Sequence, residues 1–153
     1  MRKQAFTLVE ILIVVIILGI LAAIVIPQFT EASDDARESA LSSDLQTVRS
    51  QIELYKVQHS MYPGRVRNAD GTFTDWSGAT FVSQLTSTSD VNGDTDNSGY
   101  GPYLQEFPTN PFASGNGAAV AVGAAVEDDG DPGWFWDTDD FKFMPNDADH
   151  SDE

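Results

Sequence analysis

Residues 6–27 read FTLVEILIVVIILGILAAIVIP, and the fold turns on them. From Phe6 onward the stretch is apolar with a single interruption at Glu10, and Ile11 to Ile26 carries no charge. A helix from Phe6 to Ile26, at ~1.5 Å rise per residue, is roughly 30 Å long, about the hydrocarbon thickness of a bilayer. Arg2 and Lys3 precede the segment, while Glu31, Asp34 and Asp35 follow it. That excess of positive charge on the leading side places the N-terminus in the cytoplasm and the bulk of the chain beyond the membrane.

Working outward, the pattern changes after Pro27. Leu41, Leu45, Val48, Ile52 and Tyr55 recur at alternating four- and three-residue steps, the stripe of an amphipathic helix. Arg37, Asp44, Arg49, Glu53 and Lys56 occupy its other face, with Glu53 and Lys56 close enough to pair weakly. No Pro or Gly interrupts 31–60, and Tyr62-Pro63-Gly64 ends the run. The simplest reading is one helix to about residue 61, with Pro27 as its candidate kink. Residues 62–100 read as a loop region with a short helix near Ala79–Leu85, and DVNGDTDNSGYG at 90–101 is too polar to be core. In 101–153, Ala118–Val126 is small and β-tolerant, DDGDPG at 128–133 is turn chemistry, and WFWD at 134–137 with FKF at 141–143 predicts a hairpin. The aromatic residues alternate with period two, so one set is expected on the helix and the other against a neighbouring strand. NDADHSDE at 146–153 reads as an acidic tail.

The composition removes several function classes. At 153 residues there is room for one small domain and one long helix. Aspartate and glutamate number 24 against 8 lysines and arginines, a formal charge of -16, which argues against a nucleic-acid partner. The absence of cysteine excludes disulfides, thiolate metal sites and Cys nucleophiles. His59 and His150 lie far apart with no Ser, Asp or Cys arrangement around them, and no nucleophile elbow, P-loop or zinc spacing occurs. Nothing in the sequence supports an enzyme.

Three readings compete for the N-terminal segment: a cleaved secretory signal, a plain membrane anchor, and a prepilin signal. Ala22-Ala23 offers small residues for signal cleavage, but the apolar run continues through Ile24-Val25-Ile26, the wrong flank. A plain anchor has no reason to keep Glu10 at membrane depth, where an ionised group is costly and needs a partner. KQA-FTLVE-ILIVVIILGILAAIVIPQF resembles the signal and first helix of type IV pilins and of type II secretion pseudopilins. The resemblance implies an α+β pilin fold, a long N-terminal transmembrane and amphipathic helix packed on a small antiparallel β-sheet. It divides the chain into a leader at 1–5, a transmembrane assembly helix at 6–28 and a periplasmic pilin-like domain at 29–153. It implies cleavage by a prepilin peptidase between Ala5 and Phe6, where the family usually has Gly in place of Ala5, and N-methylation of Phe6. Glu10, one helical turn from that amine, would by resemblance pair with the amine of a neighbouring subunit. Desolvation would make this pairing selective, because an unpaired carboxylate in an apolar bundle is expensive. Gly19 and Pro27 fall where this family's helix is locally melted in filaments, and both residue types weaken a helix.

Within the family, the missing cysteines favour the pseudopilin branch, since surface pilins commonly close a C-terminal loop with a disulfide. GPYLQEFPTNPF at 101–112 also resembles the major pseudopilin pattern, and retention of Glu10 fits a repeating subunit. The implied partners are other copies in a helical filament, other pseudopilins, the inner-membrane assembly platform and the prepilin peptidase. The implied role is a filament that pushes folded proteins through an outer-membrane channel. Rival readings are a surface type IV pilus subunit and a membrane-anchored binding domain for calcium or polysaccharide. Major pseudopilins typically bind one Ca2+ near their C-terminus, but the Gly-rich run that leads to it is reduced here to Pro145-Asn146-Asp147-Ala148-Asp149. A separate candidate is Asp90, Asn92, Asp94 and Asp96, where oxygen side chains alternate as in half a calcium loop. Its twelfth position is Gly101 and not a bidentate Glu, so a solvated acidic loop is the competing reading.

Overall fold

The computed structural model describes residues 7–96, 99–124, 129–147 and 149–150. The chain falls into two units, one ending at Ser39 and one beginning at Ala40. The element order is α1 (Leu8–His59), α2 (Gly78–Thr86), β1 (Val120–Gly123), β2 (Asp129–Asp137) and β3 (Phe143–Asp147).

α1 is continuous over 52 residues with Pro27 inside it. Thr7 caps its start: the Thr7 carbonyl accepts from the Ile11 amide at 3.3 Å, and the Thr7 hydroxyl accepts from the Glu10 amide at 3.3 Å. Its end comes at Ser60, which takes φ 54, just ahead of the Tyr62-Pro63-Gly64 stop. In the first unit the side chains of 8–39 are exposed, the aliphatic ones included. In the second unit α1 buries Leu41, Leu45, Val48, Ile52, Tyr55 and His59, the expected stripe extended by one residue.

The core of the second unit sets that stripe against the aromatic residues of the sheet and of α2. Phe81 stacks on Phe143 with centroids 5.8 Å apart and tilts against Trp136 at 5.3 Å, while Trp134 stacks on Phe143 at 5.2 Å. Phe135 points to the other face of β2, as period two requires, and is buried there too. The Arg49 guanidinium donates from Nε at 2.9 Å and from Nη2 at 2.8 Å to the Phe143 carbonyl, which fastens α1 to β3. Buried Gln84 joins three segments: its Oε1 accepts from the Gly64 amide at 2.7 Å, and its Nε2 donates to the carbonyls of Arg65 at 2.9 Å and Gly93 at 2.7 Å.

Two expectations need correction. The sheet is mixed and not antiparallel: β2 and β3 form the expected antiparallel pair, but β1 runs parallel to β2, with Val120 opposite Trp134 and Gly123 opposite Asp137. A parallel neighbour needs the chain to return before it pairs, and residues 124–133 separate the paired segments in sequence. The second correction concerns DDGDPG, whose Asp129 to Gly133 belong to β2. Asp129 pairs with Asp147 and the register shifts before Trp134, so the Gly and Pro residues serve an irregularity inside a strand rather than a turn between strands.

Candidate assembly and cation sites

Glu10 is placed at the third helical position after the Thr7 cap. Its Oε2 accepts from the Thr7 amide at 2.9 Å and from the Thr7 hydroxyl at 2.8 Å. With the return bond from the Glu10 amide this is a capping box, T-x-x-E, in which each side chain satisfies the other residue's backbone amide. The motif is legible in FTLVE, and it gives Glu10 a partner within its own chain besides the neighbouring subunit expected from the resemblance. The carboxylate therefore has an intrachain partner in the single chain and remains exposed beside the apolar run. Gly19 lies in helix with nothing within 4 Å of where a Cβ would stand, and Pro27 leaves the Ala23 carbonyl without a helical amide donor. Ala5 and Phe6, the expected cleavage and methylation positions, lie outside the described residues.

The alternating oxygens at 90–96 turn inward onto their own backbone. Asp90 Oδ1 accepts from the amides of Asn92 at 2.8 Å and Asp94 at 3.0 Å, and Asp94 Oδ1 accepts from the Asp96 amide at 3.0 Å. Among the described residues of 90–101 only Gly93 is buried and none joins the core, so the loop is solvated as its polarity implies, though it is anchored at Ser89 and Gly93. Ser89 is fully buried and exchanges two backbone bonds with Tyr100, and Gly93 at φ 82 is buried against Met61, Gln84 and Tyr55. Among the described residues no group of three or more His, Cys, Asp or Glu stands close enough to hold a metal ion. A cation that ligated Asp90 through Oδ1 would have to displace two amide donors, and no second carboxylate cluster stands ready beside Oδ2 among the described residues. Millimolar calcium is therefore expected to leave the thermal midpoint unchanged; a rise of several degrees, abolished by Asn92→Ala with Asp94→Ala, would show that the loop opens to bind it.

At the C-terminal side, Asp147 Oδ2 accepts from Asn110 Nδ2 at 3.0 Å, and Asp147 Oδ1 faces His150 Nδ1 at 2.5 Å. Burial works to raise the Asp147 pKa, but the bonds from Asn110 and His150 outweigh it and lower it. Asn110 itself is buried, donates to the Gly133 carbonyl at 2.8 Å and accepts from the Phe112 amide at 2.8 Å. The carboxylate thus locks the end of β3 to the 110–113 turn.

His59, the last residue of α1, is fully buried and stacks on Tyr55 at 3.8 Å. Nδ1 is 3.1 Å from the Tyr55 carbonyl and must donate, which leaves Nε2 to accept from the Ser89 hydroxyl at 3.0 Å. Burial lowers its pKa, so the folded state holds it neutral. Below its ordinary value of about 6.5 the unfolded chain gains a proton that the folded chain refuses, and stability falls as pH falls. Denaturant unfolding of the detergent-solubilised chain is expected to show this loss as the pH drops from about 7 toward 5, with His59→Gln flattening the slope. The Asp147 contribution is present above the ordinary carboxylate value of about 3.9 and is lost only at lower pH, so the two windows separate.

Comparison with known proteins adds the lineage. The family profile described as "Prokaryotic N-terminal methylation motif" matches residues 1–26. The type II secretion system core protein G of Vibrio cholerae is 30% identical over 115 residues, covering 74% of this chain and 69% of that protein. The chain belongs to the type IV pilin-like family. Core protein G of Pseudomonas aeruginosa is 39% identical over 62 residues, 40% of this chain and 44% of that protein. The match thus spans under half the length of that relative. The type IV narrow pilus major component PilA5 of Thermus thermophilus is 36% identical over 91 residues, 58% of this chain and 77% of that protein. No solved structure gives a significant match.

Proposed function

We propose that this chain is the repeating structural subunit of a type II secretion pseudopilus and not an enzyme. The observation that carries the reading is α1 itself: a helix long and apolar enough to cross a bilayer, exposed throughout 8–26, with Glu10 as its only charge there. Before assembly the helix would hold the chain in the inner membrane as a single span, N-terminus in the cytoplasm and the unit from Ala40 in the periplasm. The apolar surface that faces lipid would then face neighbouring copies in a filament, with other pseudopilins and an inner-membrane platform as further partners. In this reading a prepilin peptidase cuts between Ala5 and Phe6, the Phe6 amine is methylated, and Glu10 exchanges its Thr7 cap for the amine of a neighbouring copy. Gly19 and Pro27 are the points at which α1 would loosen on packing. In this reading the chain divides functionally into a leader at 1–5, an assembly helix at 6–28 and a periplasmic part at 29–153, whose compact unit begins at Ala40.

A second reading, a type IV pilus subunit for adhesion, motility or DNA uptake, is favoured by the likeness to the Thermus narrow pilus component. Both require the same processing. Mass spectrometry of membrane-extracted protein is expected to find a chain beginning at methylated Phe6; a chain beginning at Met1 or near Ile24 would remove both readings. Deletion of the gene is expected to block protein export if the first reading holds, and to abolish surface pili with export intact if the second does.

A further inference from the structure

We propose that a cation-aromatic strip on the second unit docks the acidic stripe of α1 from another copy of this chain. The inference rests on the filament reading and names one of its subunit contacts. After residue 39 the chain has five basic residues, Arg49, Lys56, Arg65, Arg67 and Lys142, against nineteen acidic ones. All five border one run of rings. Arg65 lies between Phe73 and Trp76, its guanidinium carbon 4.2 and 4.4 Å from their centroids, and Arg67 stands 5.4 Å from Phe73. Trp76 reaches Phe141 at 6.5 Å, Phe141 stacks on Tyr62 at 4.7 Å, and Lys56 sits 4.2 Å over Tyr62. Beside Phe141, Arg49 and Lys142 line a cavity of about 220 Å³ whose one carboxylate, Glu53, already pairs with Lys56 at 3.8 Å.

Among the described residues Arg65, Arg67 and Lys142 make no ion pair, and Arg65 Nε is buried without a hydrogen-bond partner. Phe73 and Phe141 are exposed at 37% and 42%, so the rings also present apolar area to a partner. The partner is legible in α1. Glu31, Asp34, Asp35 and Glu38 follow i, i+3, i+4, i+7, which sets four carboxylates on one helical face about 10 Å long. All four are exposed, and only Asp34 has an ion pair among the described residues, to Arg37 at 3.8 Å. Like charges at that spacing destabilise a helix, so the stripe gains from an external cationic surface. A chain of charge -16 must also overcome self-repulsion to pack against copies of itself, and a contact that sets its few cations on a dense carboxylate row does so locally. An acidic protein or polysaccharide is the rival occupant; the stripe is favoured because its four carboxylates share one helical face and three of them make no ion pair among the described residues.

Charge exchange in the full-length chain, read as filament yield by electron microscopy and sedimentation, tests the contact. Arg65→Glu with Arg67→Glu, and separately Asp35→Arg with Glu38→Arg, are each expected to lower yield about tenfold, and their combination to restore it. Arg67→Glu alone, at the outer end of the strip, is the variant to use should circular dichroism show that the double change unfolds the unit. Reduced yield that the exchange does not restore would overturn docking between copies and leave the strip to a foreign polyanion. Filaments that form normally with Arg67→Glu would overturn the proposal while leaving the filament reading in place. A wild-type chain that forms no filament would overturn both.

Discussion

Gly78→Ala is expected to destabilise the second unit more than any other single glycine change. Gly78 opens α2, and a Cβ built there would lie 1.6 Å from the Val120 carbonyl oxygen and 2.8 Å from its carbon. Both are backbone atoms, so no side-chain rotation relieves the overlap, and α2 must separate from β1. Overpacking of this kind costs about 3 kcal/mol. In a unit of this size that corresponds to a drop of ~10 °C in thermal midpoint. The parallel pairing of β1 with β2 would weaken with it, since Val120 is the first residue of that register. Gly71→Ala is the control: its φ of 84 also disfavours a side chain, but nothing stands within 4 Å of its Cβ, and the loss should stay near 1 kcal/mol. Thermal unfolding in detergent by circular dichroism compares the two. Equal losses would mean that α2 slides freely over β1 and that the close approach carries no weight.

That glycine marks the limit of what the sequence discloses. The stripe on α1 and the hairpin of β2 with β3 were legible because each follows from a local period, 3.6 or 2, and from turn residues between them. Gly78 sits in an ordinary-looking stretch, and only the approach of a strand forty residues later makes its missing side chain matter. The parallel direction of β1 was hidden for a related reason, since small β-tolerant residues do not encode which way a strand pairs. Polarity placed 90–101 outside the core, but it does not reveal that Gln84 and the backbone bonds at Ser89 anchor that loop. At the N-terminus Thr7 and Glu10 stand three apart as a capping pair, a local spacing that the sequence does disclose.

Glu10 carries two separable roles, and Glu10→Gln divides them. In the single chain the carboxylate closes the capping box with Thr7, a task that an amide oxygen also performs. In the proposed filament it must meet the charged Phe6 amine of a neighbouring copy in apolar surroundings, and there a neutral amide leaves that amine uncompensated. Glu10→Ala removes both the cap and the charge, whereas Glu10→Gln keeps the cap and removes the charge alone. Both variants should insert in the membrane at least as readily as the wild type, because an ionisable group at the apolar edge is gone. Both are expected to lower filament yield by at least about tenfold, since losing one partner of a desolvated pair costs more than the pair itself contributes. Hydrogen exchange at the first turn of α1 should rise for the alanine variant only, which reports the cap independently of assembly. If Glu10→Gln assembles as well as the wild type while Glu10→Ala does not, the carboxylate serves as a helix cap and the register between subunits is set elsewhere along α1.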